Sequence, residues 1–177
     1  PLQVKTLKEL TNTDIIYVAQ VIGQKASIVV GINGEDNFDE FEYELHDTPC
    51  DIASAGRVCT HSPDVQEKFP NDQLLVEMNI HGYMGVPLFG LDGSIDGIVV
   101  GLNHHKYPYS DDDTLLFQMV AQLVQVEFRN ALEAVQSINT FENIDVKNIP
   151  NMGRFFYSVL ENLPGSISVL TTKNRFV

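Results

Sequence analysis

The sequence predicts a fold of the α/β class, of the α+β kind, in which β-hairpins supply a sheet and a long helix covers it. Two hairpins, over 82–105 and 15–32, are indicated by paired runs of β-branched and apolar residues joined at glycine-containing turns. A helix from 110 to about 143 is indicated by apolar residues at three- and four-residue steps. We expect its first half to pack on the sheet and its second half to extend beyond one small domain.

The hairpin over 82–105 has the strongest pattern in the chain. Its arms are Tyr83–Phe89 and Ile95–Leu102, and the turn at 90–93 contains residues that tolerate positive φ or bond their own backbone. The second arm is almost continuously apolar, so we expect it in the centre of the sheet. Its glycines indicate close packing or, alternatively, room for a ligand. These glycines are Gly82, Gly85, Gly97 and Gly101.

The N-terminal part is predicted to form a helix and the second hairpin. Residues 2–11 are typical of a helix, and strands follow at 15–22 and 27–32. An acidic loop over 33–40 then leads to Phe41–Leu45, which alternates apolar residues with acids and is predicted to be a half-exposed edge strand.

The middle of the chain is predicted to consist of short elements. Thr48 and Pro49 are a helix start, because threonine caps and proline is tolerated in a first turn. The helix should cover 50–55 and end at Gly56. The elements that follow are a strand at 57–60, a turn or helix at 64–68, and a helix at 73–79 capped by Asn71 or Asp72.

The long helix carries a capping signal and an apolar stripe. Ser110 can cap it, and Asp113 can complete a capping box. The stripe comprises Leu116, Met119, Leu123, Val126, Asn130, Ala134, Ser137 or Ile138, and Phe141. Because an apolar stripe is unfavourable in water, we expect a parallel homodimer through the 110–143 helix. The alternative is that 131–143 fold back onto their own domain.

The remaining segment predicts a second, incomplete unit. Residues 145–151 break the helix, 152–161 are typical of an amphipathic helix, and 167–170 of a strand. About 30 residues of this kind cannot bury a core alone. We therefore divide the chain into a domain at 1–143 and, at 144–177, a linker with the start of a second domain, whose strand we expect to pair with a second copy.

Composition excludes several classes of function. The chain of 177 residues has a formal net charge of −13, and no basic residue lies between Lys25 and Arg57. Such a surface repels phosphates, so we expect no nucleic-acid partner. No apolar run is long enough to span a membrane, and no secretion signal is visible. The two cysteines are too few for a disulfide scaffold, which favours a reduced, cytoplasmic protein.

Several motifs together resemble the GAF family of sensory domains over residues 1 to about 143. The motifs are Tyr43-Glu44-Leu45, Thr48-Pro49-Cys50, Phe69-Pro70-Asn71-Asp72, Tyr83-Met84-Gly85-Val86-Pro87-Leu88, Asp92-Gly93 and Gly97. The resemblance implies a central antiparallel sheet flanked by helices, with a long C-terminal signalling helix. It also implies that the domain senses a small molecule or relays a conformational change.

The segment from Phe156 to Ile167 resembles the opening helix and first strand of a PAS domain. A GAF domain followed by a PAS domain is typical of bacterial sensor histidine kinases and of cyclic-di-GMP enzymes such as diguanylate cyclases. No kinase or cyclase motif occurs in this chain, so the resemblance implies a non-enzymatic input domain with an output domain elsewhere.

Two ligand classes known in the family do not fit the residues present. Bilin-binding members resemble this chain over Leu75–Tyr107, including the pair His104-His105, but need a thiol just before the helix that precedes the hairpin. The nearest thiol, Cys59, lies about a dozen residues before that helix. The Asn, Lys and Asp-Glu set of cyclic-nucleotide-binding members is also missing. We therefore expect neither ligand, and the cofactor is left open.

Thiol chemistry is the enzymatic alternative. Some proteins with the GAF fold reduce free methionine sulfoxide with three cysteines, and this chain has Cys50 and Cys59. Cys50 at a helix start would gain acidity from the dipole, although a buried, inert cysteine is the commoner state. Metal binding by His61, His104 or His105 is disfavoured, because the spacing matches no zinc signature.

We predict a ligand pocket between the concave sheet face and the segment 50–78. The candidate lining residues are Arg57, Phe69, Asp72, Leu75, Tyr83 and His104. Arg57 can hold a carboxylate or phosphate, or it can pair with a nearby acid. A third hypothesis is a domain without any ligand, which serves only to dimerise.

Overall fold

The computed structural model describes residues 2–38, 41–61, 64–90 and 92–139, and the described residues form one antiparallel sheet of seven strands flanked by helices. This confirms the predicted fold class. The strands are β1 (Ile15–Ile22), β2 (Lys25–Asn33), β3 (Asp36–Asn37), β4 (Glu42–Glu44), β5 (Cys59–His61), β6 (Gly82–Phe89) and β7 (Ile95–Asn103). The helices are α1 (Leu2–Thr11), α2 (Pro49–Ser54), α3 (Val65–Lys68), α4 (Gln73–Glu77) and α5 (Asp111–Asn139). The predicted elements over 144–177 lie outside the described residues.

The two predicted hairpins meet in the middle of the sheet. The strand order is β3-β2-β1-β7-β6-β5, and β4 pairs with the opposite end of β2 from β3. Strand β7 lies between β1 and β6, so the prediction that it is central is confirmed. Its apolar residues are accommodated there because both of its faces are covered.

Helices cover the two faces of the sheet in different ways. Helices α1 and α5 pack on one face, where Leu7 and Phe117 are fully buried against aliphatic side chains of β1, β6 and β7. The short helices α2, α3 and α4 pack on the other face through Ala53, Val65 and Leu75. Because side chains alternate along a strand, each strand supplies both cores.

Two local predictions need correction. The segment 33–40 was expected to be a loop, but Asp36 and Asn37 pair with the end of β2 as the short strand β3. Thr48 stands at the N-cap position of α2, yet its hydroxyl donates to the carbonyl of Leu45 and does not cap the helix. Pro49 occupies the first turn as expected. The sequence signal for the helix start was therefore right, although the capping bond is absent.

Helix α5 begins as predicted but presents a different face to the sheet. Ser110 and Asp113 form the capping box, with Asp113 N–H donating to Ser110 Oγ at 3.1 Å and Ser110 N–H donating to Asp113 Oδ2 at 2.8 Å. The sheet is covered by Phe117, Ala121 and Val124, which the predicted stripe did not include. Most of the named stripe residues in the described first half are exposed instead. Between 111 and 127, the exposed apolar residues of α5 are Leu115, Met119, Leu123 and Val126.

The hairpin glycines are sites of close packing. A Cβ at Gly101 would collide with the ring of Phe117, and one at Gly97 would press on the carbonyl oxygen of Ala19 at 2.5 Å. At Gly85 the space is occupied by the ring of Tyr83 from the same strand. The packing interpretation of these three glycines is therefore correct.

Candidate functional site

A cavity lies between the sheet and helices α2 and α4, where the sequence predicted a pocket. Its volume is about 30 Å³. On the same scale a single water needs roughly 10–15 Å³, so the cavity can hold a molecule of a few non-hydrogen atoms. The residues that line it are Tyr17, Phe41, Tyr43, Pro49, Cys50, Asp72, Leu74, Leu75, Met78, Ile80, Tyr83 and Leu102.

The thiol of Cys50 is surrounded by three tyrosine hydroxyls. Tyr43 and Tyr83 each donate to Cys50 Sγ at 3.3 Å, and Tyr17 Oη lies 3.8 Å from the same sulfur. The hydroxyls of Tyr17 and Tyr43 are also hydrogen-bonded to each other at 3.1 Å. The missing side chain at Gly85 allows the Tyr83 ring to lie along its own strand toward the thiol. Three strands and α2 therefore converge on one sulfur atom.

Every group in this cluster is held in its neutral form. Burial raises the pKa of Tyr17, Tyr43 and Tyr83 well above the ordinary tyrosine value. Burial also raises the pKa of the Cys50 thiol, although the tyrosine hydrogen bonds oppose that shift. The cluster is consequently a network of hydroxyl and thiol groups without charge near neutral pH.

Asp72 is the acidic residue of the cavity wall. It is 9% exposed, and its Oδ1 accepts from the backbone N–H groups of Leu74 (3.1 Å) and Leu75 (3.4 Å), which caps α4. Desolvation raises the pKa of Asp72 against the lowering effect of these two bonds. Its charge in turn raises the pKa of Tyr17 and Cys50, which shows that it faces the cluster.

The structure brings three of the six predicted pocket residues together. Asp72, Leu75 and Tyr83 line the cavity. Phe69 is half-buried beside it, with its ring centroid 4.9 Å from that of His61. The other two, Arg57 and His104, do not line it.

Arg57 and His104 lie on the surface. Arg57 is exposed and forms no ion pair with any residue that the structure describes, and its role toward a ligand stays a prediction. His104 is exposed beyond the end of β7, where its backbone N–H donates to Asp14 Oδ2 at 2.8 Å. Its ring Nδ1 lies 3.4 Å from the carbonyl oxygen of Asn79, just past α4, so the ring approaches this end of α4 without lining the cavity.

Sequence analysis missed Tyr17, Tyr43 and Met78 as lining residues. Alternation along β1 and β4 places the two tyrosines on single faces of their strands. That signal does not tell which face carries the cavity. Met78 lies just past α4, at helical spacing from Leu74 and Leu75, and this spacing was the available indication.

The second thiol has a separate environment. Cys59 Sγ lies 3.0 Å from His61 Nε2, and Lys68 Nζ lies 3.2 Å from Nδ1 of the same ring. Burial is the main cause that raises the pKa of Cys59 to about 11, and burial followed by Lys68 lowers the pKa of His61. In the described part of the chain, no group of three or more His, Cys, Asp or Glu side chains is placed to hold a metal ion.

A single antiparallel sheet with a small internal cavity on one face and a long helix on the other defines an α+β domain that can enclose a small molecule. The sequence profile of the GAF domain matches residues 3–128. The chain belongs to the GAF domain family.

Solved structures with this fold include sensory domains and one reductase. The GAF domain of a two-component sensor histidine kinase from Bacillus halodurans has a TM-score of 0.61 at 14% identity, over 75% of this chain and 92% of that chain. The blue-light absorbing form of the Thermosynechococcus elongatus PixJ GAF-domain has 0.60 at 13%, over 80% and 91%. The type II free methionine-R-sulfoxide reductase from Thermoplasma acidophilum has 0.55 at 20%, over 70% and 85%. At these identities the likeness establishes the fold.

No curated protein sequence matches this chain. Within 2–139, apart from the gaps already given, no helix has the length and apolarity needed to cross a membrane.

Proposed function

We propose that this chain is the sensory domain of a cytoplasmic signalling protein, which binds a small molecule in the cavity and passes the change through α5 to an output domain. The observation that carries this proposal is the cavity under α2 and α4, with a mostly buried carboxyl group and a hydroxyl and thiol network in its wall. Purely structural cores rarely retain so many polar groups. The photoreceptor and sensor-kinase domains of the same fold support a sensory role.

The cavity proposal is tested by filling the cavity. Met78 lines it and Val76, two residues earlier, is 56% exposed on the outer side of α4. Native mass spectrometry of the chain as purified from cells, and of the Met78→Phe and Val76→Phe variants, should show a bound small molecule in the wild type and in Val76→Phe. Loss of that mass in Met78→Phe alone is the expected result. Equal occupancy in both variants would place the molecule elsewhere and contradict the proposal.

Relay through α5 requires that its exposed apolar face be covered, and we propose that a second copy covers it in a parallel homodimer. Leu115, Met119, Leu123 and Val126 lie on the side of the helix that faces away from the sheet. The described helix has 29 residues, which at about 1.5 Å per residue makes it roughly 43 Å long. Identical stripes aligned in parallel would bury each other and transmit a shift toward the C-terminal side.

A charge-matched pair of double variants tests the dimer. Met119→Glu with Leu123→Glu should give monomers in analytical ultracentrifugation at high micromolar concentration. Gln118→Glu with Gln125→Glu adds the same charge on the flank of the helix, outside this apolar face, and should leave dimers. A wild-type chain that stays monomeric would overturn the relay part of the proposal.

The identity of the output domain is part of the same proposal. We expect a histidine kinase or a diguanylate cyclase to follow, with 144–177 as a linker and the start of a PAS-like domain. The resemblance of Phe156 to Ile167 to a PAS opening supports this order.

A thiol redox enzyme is the second candidate, favoured by the likeness to the methionine-sulfoxide reductase and by two free thiols on one face of the sheet. Against it, burial raises the pKa of both Cys50 and Cys59, which leaves little thiolate to react. Methionine-sulfoxide turnover that disappears in Cys50→Ser would support the enzyme. A ligand-free dimerisation module is distinguished by an empty cavity in the wild type.

A further inference from the structure

The cavity wall contains an acidic side chain. Of the residues that line it, Asp72 is the one with a carboxyl group, and the raised pKa values of the phenols and the thiol keep those groups neutral near pH 7. No lysine, arginine or histidine among the described residues lines the cavity. An anion would therefore enter against a buried negative charge with no cation to offset it, whereas a cation would meet its counterion.

The carboxylate of Asp72 has an acceptor to spare. Both of the hydrogen bonds that it makes to described residues end on Oδ1, from the N–H groups of Leu74 and Leu75. Oδ2 accepts no hydrogen bond from any described residue, and it keeps accessible surface, since no buried side-chain oxygen of the described residues lacks a partner. An ammonium group placed there would gain a charge-assisted hydrogen bond.

The other residues that line the cavity favour a ligand with a short apolar group. Leu74, Met78 and Ile80 contribute apolar side chains to the wall, and Tyr17 and Tyr43 contribute aromatic rings. Aromatic faces also attract a cation that lies close to them. With a volume of about 30 Å³ the cavity admits a few non-hydrogen atoms, which excludes nucleotides and other large ligands.

We propose that the cavity binds a small aliphatic amine as its ammonium ion, with nitrogen on Asp72 Oδ2 and the alkyl group among the leucines and Met78. This inference rests on the proposed function, because it names the ligand class of the same cavity. The three tyrosine hydroxyls and the Cys50 thiol form the polar part of the wall, and the amine displaces no salt bridge on entering.

Three probes of similar size and different charge test it: ethylammonium, ethanol and acetate. Isothermal titration calorimetry at pH 7.5 and fixed ionic strength should show ethylammonium binding at least tenfold more tightly than ethanol, and no binding of acetate. The first difference reports the charge on Asp72, and the second reports the absence of a cation in the wall.

Asp72→Asn isolates the charge, because asparagine caps helices as well as aspartate does. It should weaken ethylammonium binding at least tenfold and change ethanol binding less than twofold. Asp51→Asn on α2, outside the cavity, is the matched control and should leave all three titrations unchanged. Circular dichroism spectra that match the wild type would show that both variants are folded.

The other outcomes distinguish the amine proposal from the sensory proposal. Equal binding of ethanol and ethylammonium, or tight binding of acetate, overturns the amine and leaves a ligand-binding cavity. Failure of all three probes also overturns the amine. If the wild type then carries a co-purified molecule that Met78→Phe lacks, the sensory proposal survives. If it carries none, both proposals fail.

Discussion

The two faces of the sheet differ although the same strands build them. In β1, Ile16 and Val18 face α1 and α5 and pack against aliphatic side chains and Phe117. Tyr17, between them, faces the opposite side and contributes a hydroxyl to the cluster around Cys50. The face under α1 and α5 is therefore a closely packed apolar core. The opposite face contains polar atoms and a cavity.

This difference indicates that the two faces of the sheet have different roles. The face under α1 and α5 has neighbours so close that Gly101 cannot carry a Cβ without meeting Phe117, which couples α5 rigidly to the sheet. The face under α2 and α4 is covered by helices of six and five residues, which hold a space that a ligand can fill. We infer that one face receives the signal and that the other passes it on.

Breaking the filled face should have the largest effect. Phe117→Ala removes a fully buried ring from between α5 and the sheet, and we expect it to lower the free energy of unfolding by about 3–5 kcal/mol. Gln118→Ala, on the exposed side of the same turn, should change it by less than about 0.5 kcal/mol. Urea denaturation measures both. Similar losses in the two variants would mean that Phe117 does not anchor the helix.

The polar face should respond less to the loss of one hydrogen bond. Tyr83→Phe removes the hydroxyl that donates to Cys50 Sγ and leaves the ring over Gly85, so we expect a loss of roughly 0.5–1.5 kcal/mol. In a double-mutant cycle with Cys50→Ala, the double variant should lose less stability than the sum of the two single losses, because both changes remove the same hydrogen bond. A coupling energy of zero would show that this bond does not stabilise the fold.

The smallest effect should appear in the pH dependence of stability. Desolvation raises the pKa of Asp72, so the folded chain holds that proton more tightly than the unfolded chain does. The stabilisation that results from this raised pKa of Asp72 is fully present below the ordinary aspartate pKa of about 3.9. It is lost as the pH rises through the raised pKa of the folded chain. The stability of Asp72→Asn relative to wild type should therefore increase from pH 4 to pH 7, measured by urea denaturation.

Asp64 also caps a short helix, but the pKa of its carboxyl group is lowered instead of raised. Burial pushes the pKa of Asp64 upward, but hydrogen bonds from Lys106, His81 and a backbone N–H lower it overall. Asp64→Asn should lose stability relative to wild type above the ordinary aspartate pKa, and this loss should shrink as the pH falls through the lowered value. Parallel pH profiles for the two variants would contradict this account of both carboxylates.

Much of the fold was predictable because its signals are local. The bounds of β1 match the prediction, and those of β6 and β7 differ from it by one residue, since turn residues and runs of β-branched residues act over a few positions. The N-cap of α4 at Asp72 and the capping box at Ser110 were predictable for the same reason. The site was predictable in part: Asp72, Leu75 and Tyr83 belong to elements that the sequence already placed over or in the sheet.

The sequence by itself determined the strands, the turns, the helix caps and the acidic surface, because each depends on residues that are neighbours in the chain. Tertiary structure alone decided which face of each strand lies under α4 and which apolar face of α5 meets the sheet. Tyr17 and Ile16 are both typical strand residues and both are buried, and α5 carries apolar residues on two sides. Only the packing of distant elements distinguishes those faces, and it alone brings Tyr17, Tyr43, Tyr83 and Cys50 to one point.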